Sequence, residues 1–61
     1  MIAMILIVQN WIVEIRGNRV YADQIDGMHS YNGLIYADKS VRWDLHGVPD
    51  YVKDTIKRSI T

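Results

Sequence analysis

Two histidines and a nearby carboxylate are the residues of this sequence that could bind a metal. Asp44 lies two positions before His46, so a strand there would place both side chains on one face, while His29 lies in an earlier loop. Imidazole and carboxylate groups are ligands of transition metals. No His-x-x-x-His or Glu-x-x-His spacing accompanies them. We therefore predict that these side chains are solvated, and we expect no metal and no cofactor.

Covalent catalysis has few candidate groups in this chain. There is no cysteine, and the serines fall in predicted turns or on the predicted helix, without a suitable histidine and carboxylate arrangement: Ser30, Ser40 and Ser59. The glycines never cluster into a phosphate-binding loop. A domain of 61 residues also has difficulty forming the pocket of roughly 300 Å³ or more that ligand sites usually need. We expect that the protein is not an enzyme.

The aromatic residues indicate binding to another protein. Four tyrosines and two tryptophans occur without any phenylalanine, so every ring carries a polar group, as is common at interfaces. Two similar segments, 20–23 and 35–38, would place Tyr and Asp on one face and Ala on the other if they pair as strands. The candidate partner-binding residues are Tyr21, Asp23, Tyr31, Tyr36, Asp38 and Trp43. The alternative is that Trp11 and Trp43 are core residues and the tyrosines line a sheet edge.

Single-stranded nucleic acid is a second hypothesis, because aromatic rings on a sheet can stack on bases while cations contact phosphates. The candidate phosphate contacts are Arg16, Arg19, Lys39 and Arg42. Seven basic residues balance seven acidic ones, however, and such binding takes most of its affinity from a basic surface. The charge balance therefore favours a protein as the partner.

Short strands must position these residues. Runs rich in β-branched, aromatic or other apolar residues predict strands at 1–8, 11–16, 19–25, 34–39 and 41–45. The two-residue turn Gly17-Asn18 predicts a β-hairpin in which Trp11, Val13 and Ile15 share one face. Residues 26–33 are predicted to form a loop ending in an Asn-Gly turn, and Ser40 a turn or bulge.

The last segment has the periodicity of a helix that begins near Pro49. An apolar stripe recurs every four residues, at Val48, Val52, Ile56 and Ile60. Asp54 and Arg58 have the spacing of a surface ion pair. The sequence thus predicts one α+β domain over residues 1–61: an antiparallel β-meander of about four to five strands (1–46) and one C-terminal helix (48–60) packed on it. A partly closed barrel is the alternative to an open sheet.

The opening run is apolar at every position from Met1 to Val8. Alternate residues of a strand face opposite sides, so both faces of this strand require burial, and one helix can cover only one of them. We predict a buried strand at a homodimer interface formed by Ile2, Met4, Ile5, Leu6, Ile7 and Val8. Closure into a barrel would be the other way to cover it.

A membrane anchor is the third hypothesis for this run. A membrane-spanning helix needs roughly 20 apolar residues, and Gln9 and Asn10 interrupt this one. The basic start and the cleavage site of a secretory signal are also missing, and we expect a cytoplasmic protein. The predicted function is a non-catalytic protein-binding module, an inhibitor or adaptor that occludes or bridges a partner surface as a homodimer.

Overall fold

The computed structural model describes residues 3–61, which form five strands and one helix. In chain order these are β1 (Ala3–Val8), β2 (Trp11–Arg16), β3 (Arg19–Gln24), β4 (Ser30–Ile35), β5 (Val41–Trp43) and α1 (Asp50–Ile60). The strands form one antiparallel sheet in the order β1-β2-β3-β4-β5. The predicted α+β fold is confirmed, and the sheet is open rather than closed into a barrel.

The β2–β3 hairpin turns at Gly17 and Asn18, as predicted. Arg16 is paired with Arg19, which leaves two residues in the turn, and Gly17 has a φ of 60°. Glycine adopts this left-handed conformation without a steric penalty, because it has no Cβ. The turn sets the pairing of β2 with β3, and this pairing decides which side chains lie on each face of the sheet.

The hydrophobic core lies between α1 and one face of the sheet, which we call the helix face. Its buried residues are Trp11, Val13, Ile15, Val20, Ala22, Val48, Val52 and Ile56. Those on β2 and β3 alternate along their strands, and those at the C-terminus follow the predicted four-residue spacing. No helix or further strand in residues 3–61 lies over the opposite face, which we call the open face.

The helix begins at Asp50, two residues later than the start of the predicted range 48–60. Pro49 is the N-cap, because its ψ of 153° is extended, and the helix starts at Asp50. Asp50 in the first turn and two cations in the last turn, Lys57 and Arg58, suit the helix dipole. The expected pair between Asp54 and Arg58 does not form, since the one ion pair within residues 3–61 joins Arg16 to Glu14. Exposed pairs gain little over solvation and lose side-chain entropy, so such spacing is a weak predictor.

Strand β4 is the largest departure from the sequence prediction. It covers Ser30–Ile35, where a loop had been expected up to residue 33, and β5 is only three residues long. Two packing contacts explain the difference. The Tyr31 ring lies against Trp11, with centroids 6.0 Å apart, and Gly33 is buried opposite Trp43. Residues with turn propensity are thus held in a strand by tertiary contacts.

Residues 3–8 of the opening run form a strand, as predicted, but this strand is not buried within a single chain. β1 pairs only with β2 and lies at the edge of the sheet. Ile5 is 65% exposed and Ile7 is 74% exposed, because α1 covers the helix face alone. The expectation of a buried strand is therefore wrong for the isolated chain.

Gly33 offers a test of the packing around β4. A Cβ at this position would lie 2.8 Å from Val20 Cγ1 and 2.9 Å from Val41 Cγ1. We expect Gly33→Ala to lower the free energy of unfolding by about 1–3 kcal/mol, because the added methyl group overpacks the core. Urea denaturation at a fixed protein concentration measures this change.

Asn32→Ala is the matched control, because Asn32 is the exposed neighbour of Gly33 on the same strand. We expect its effect to stay within about 0.5 kcal/mol. Equal unfolding midpoints for Gly33→Ala and the unmodified chain would contradict the described position of β4.

Candidate binding surface

The open face carries a continuous set of exposed and half-buried side chains. Directly paired residues of antiparallel strands lie on the same face, so the register defines the set. Its members are Ala3, Ile5, Ile7, Ile12, Glu14, Arg16, Arg19, Tyr21, Asp23, Ser30, Asn32, Leu34 and Arg42. The face divides into an apolar corner, a polar centre and a cationic side.

The apolar corner consists of Ile5, Ile7 and Ile12, which we call the isoleucine patch. Ile7 is paired directly with Ile12, and Ile5 lies two residues along the same edge strand. Ile12 is 41% exposed, although it lies on the second strand of the sheet. Large apolar side chains grouped on a surface mark sites of association more often than isolated ones do.

The polar centre surrounds Tyr21. This residue is paired with Glu14 on one side and Asn32 on the other, and its ring is half-buried. Next to it, Asp23 accepts a hydrogen bond from the Ser30 hydroxyl. A half-buried tyrosine among short polar groups can offer both an apolar surface and a hydrogen-bonding hydroxyl to a partner.

The cationic side is a line of residues that crosses four strands, and we call it the arginine row. Arg16 is paired with Arg19, Arg19 with Leu34, and Leu34 with Arg42. The Arg16 guanidinium lies 2.5 Å from a Glu14 carboxylate oxygen. In the described chain, neither Arg19 nor Arg42 forms a side-chain hydrogen bond or ion pair.

The structure separates the six aromatic and acidic residues that the sequence singled out for partner binding. Tyr21 and Asp23 lie on the open face. Tyr31 and Trp43 lie on the helix face and pack against the core. The position of Trp43 agrees with the alternative hypothesis, in which this residue has a packing role. The Tyr31 hydroxyl also lies against Gly47, where a Cβ would clash with it.

Tyr36 and Asp38 lie in the turn between β4 and β5. Segments 20–23 and 35–38 do not pair with each other, because Tyr21 is opposite Asn32 and β4 ends at Ile35. Asp38 instead accepts hydrogen bonds from the Ser40 hydroxyl, at 2.5 Å, and the Ser40 backbone N–H, at 2.9 Å. These bonds close the turn locally, as short aspartate side chains commonly do.

The histidines do not converge on Asp44. The His29 ring is stacked on Tyr31 with centroids 6.2 Å apart, whereas one Asp44 carboxylate oxygen accepts the Asn32 backbone N–H at 3.1 Å. Among residues 3–61 there is no group of three or more His, Cys, Asp or Glu side chains that could hold a metal ion.

Five of the six residues predicted to form a dimer interface lie along β1. Ile5 and Ile7 face the open side, whereas Met4, Leu6 and Val8 face the helix side, where Leu6 and Val8 pack partly against the core. Ile2 lies outside the described residues. The predicted binding surface did not include Ile12, although strand alternation places it on the face opposite Trp11, Val13 and Ile15. The sequence signal that could have identified Ile12 is an isoleucine on the strand face that otherwise carries Glu14 and Arg16.

In comparisons with known proteins, no family model matches the chain, and no curated protein or solved structure is significantly similar to it. Within residues 3–61, no helix has the length and apolar character that crossing a bilayer requires. The surface itself is therefore the basis for assigning a function.

The Asp38 turn gives a prediction about pH. Hydrogen bonds from the Ser40 hydroxyl and backbone hold the pKa of the Asp38 carboxyl below its ordinary value of 3.8. These hydrogen bonds stabilise the folded state at pH values above the unfolded-state pKa of Asp38. Their contribution is lost as pH falls through the lower folded-state pKa of this residue. In an NMR pH titration, we expect Ser40→Ala to raise the pKa of Asp38 towards its ordinary value.

Ser59→Ala is the control for this titration, because the Ser59 hydroxyl donates to the Thr55 carbonyl on the helix. It should leave the pKa of Asp38 unchanged. Identical titration curves for Asp38 with and without the Ser40 hydroxyl would show that the turn is not closed in this way.

Proposed function

We propose that this chain is a non-catalytic protein-binding module, of the inhibitor or adaptor type, that covers part of a partner protein with its open face. The observation that carries the proposal is the isoleucine patch. Three large apolar side chains share an uncovered face with a half-buried tyrosine and a set of charged groups. An apolar region bordered by polar residues is the usual composition of a protein interface.

The proposal includes a homodimer formed by β1. This strand presents a free edge of six apolar residues, without the charge, proline or bulge that commonly protects an edge strand. Antiparallel pairing of two β1 strands about a two-fold axis gives the backbone groups of both free edges hydrogen-bond partners. Each subunit contributes the same surface to this contact. It also places both helices on the same side of one continuous sheet and brings the two isoleucine patches together.

The hydroxyl groups of the serines support a binding role over nucleophilic catalysis. Ser30 donates to Asp23, Ser40 to Asp38 and Ser59 to the Thr55 carbonyl, so each is engaged in a local hydrogen bond. None of these bonds has the arrangement of a nucleophile with a histidine base. The fold contains no cysteine and gains nothing from an oxidising compartment, and a cytoplasmic location is part of the same proposal.

The dimer can be tested with a charge on the edge strand. We expect the unmodified chain to have twice its monomer mass in light scattering at high micromolar concentration. The double variant Ile5→Lys/Ile7→Lys should be monomeric, because two-fold pairing would bring four ammonium groups together on one face.

Leu45→Lys is the matched control, since Leu45 is 62% exposed but lies outside the sheet, between β5 and α1. This variant should remain a dimer. A monodisperse monomer for the unmodified chain under the same conditions would remove the dimer from the proposal.

Partner binding requires a variant on the open face that leaves the dimer edge intact. We expect Ile12→Lys to weaken binding of a captured partner, purified and measured by titration calorimetry, by about tenfold or more, since it places a charge in the apolar part of the interface. Lys53→Ala on the exposed side of α1 is the control and should bind as the unmodified chain does. Loss of affinity with Lys53→Ala but not with Ile12→Lys would place the interface on the helix instead.

A further inference from the structure

The arginine row is an unusual feature for an electrically neutral chain. Seven basic residues balance seven acidic ones overall, yet three of the basic residues share one row of the sheet. Arg16 and Arg19 are also directly paired across the hairpin. Like charges in this position oppose pairing of the strands, so the row makes no favourable contribution to the hairpin.

Neutralisation of the row is incomplete. Glu14 pairs with Arg16 at 2.5 Å, which leaves Arg19 and Arg42 without an anionic partner in the described part of the chain. Asp44 lies near Arg42 in sequence, but one of its carboxylate oxygens accepts the Asn32 backbone N–H at 3.1 Å, and it forms no ion pair with either arginine. Both guanidinium groups therefore keep their fork of N–H donors available.

A shallow cavity lies between these two arginines. It has a volume of about 210 Å³ and is lined by Arg19, Asn32, Gly33, Leu34, Arg42, Trp43 and Asp44. Sites for free small molecules usually occupy roughly 300–1,000 Å³, so this one is better suited to a side chain of a larger ligand. Leu34 supplies an apolar floor, and the arginines supply charge on either side of it.

The spacing of the arginines suits an extended acidic peptide. Arg19 and Arg42 lie on β3 and β5, two strand spacings apart, which is roughly 10 Å. Alternate residues of an extended peptide lie roughly 6.6 Å apart on one side, within reach of two long arginine side chains. Guanidinium groups bind carboxylates in a two-point geometry that lysine cannot reproduce.

The other groups on the open face favour a peptide over nucleic acid. Glu14 and Asp23 lie on the same face as the arginine row and interrupt any long cationic track for a phosphate backbone. Tyr21 is the aromatic residue on the open face and is half-buried, whereas Tyr31 and Trp43 pack against the core from the helix face. A short cationic row beside acidic groups selects for a few well-placed anions.

We propose that the arginine row binds an extended acidic segment of the partner protein, with Arg19 and Arg42 each holding a carboxylate. This inference rests on the proposed protein-binding function and specifies the chemistry of the partner. The acidic segment crosses β3, β4 and β5, while the isoleucine patch contacts an apolar region of the same partner.

The test measures binding of a fluorescein-labelled oligoglutamate peptide to the full chain by fluorescence anisotropy at low salt. Arg19→Gln/Arg42→Gln should reduce the affinity by about tenfold or more, since each arginine supplies a charge-assisted contact. Lys57→Gln/Arg58→Gln removes the same charge from α1 and should change the affinity by less than about twofold. Urea denaturation confirms that each variant is folded.

Two further readouts make the result specific. Arg19→Lys/Arg42→Lys keeps the charge but loses the two-point geometry, and we expect it to bind more weakly than the unmodified chain. In NMR spectra, the peptide should shift the backbone amides of Arg19, Leu34 and Arg42. Amide shifts confined to α1, or equal affinities for the two glutamine double variants, would overturn the proposal.

The same measurement with an oligothymidylate tests the alternative that the arginine row binds nucleic acid. Tighter binding of this oligonucleotide than of oligoglutamate, with loss in Arg19→Gln/Arg42→Gln, would overturn the acidic-peptide assignment in favour of nucleic acid. A partner complex that is weakened by Ile12→Lys but unaffected by Arg19→Gln/Arg42→Gln would refute the role of the arginine row alone. A partner complex that is weakened by neither variant would count against the protein-binding surface as a whole.

Discussion

The fold depends on the burial of one face of a five-stranded sheet by a helix of eleven residues. Val52 and Ile56 of that helix meet the apolar side chains of β2 and β3, and a helix this short has little stability in water without such contact. Because the chain has no second helix within residues 3–61, the opposite face of the sheet stays uncovered. The open face and its mixture of apolar and charged groups follow from this one-sided packing.

The uncovered face and the free edge are connected features. β1 contributes Ile5 and Ile7 to the open face, while its Leu6 and Val8 lie on the helix face and are partly buried against the core. One strand therefore belongs to the core, the sheet edge and the exposed surface together. The apolar sequence of β1 thus lies at a position where single soluble domains usually place charged or short strands.

Most of the fold was predictable from the sequence, because local chemistry and tertiary packing agree there. Gly17-Asn18 specifies a tight turn, and the spacing of Val48, Val52 and Ile56 specifies a helix face. Residues 30–33 have turn propensity, and they are held in a strand by pairing with β3 and β5 and by the contact of Tyr31 with Trp11. The arginine row could not be read from the sequence, because its geometry depends on the register of that unpredicted strand.

The two edges of the sheet differ in a way that limits assembly. β1 offers six residues for pairing, whereas β5 has three and leads directly into the bends before the helix. Repeated edge-to-edge addition needs two competent edges on each subunit, and a fibre grows only when both are available. In the proposed dimer the long edge of each chain is used in the two-fold contact, and the short β5 edge that remains offers little for further addition.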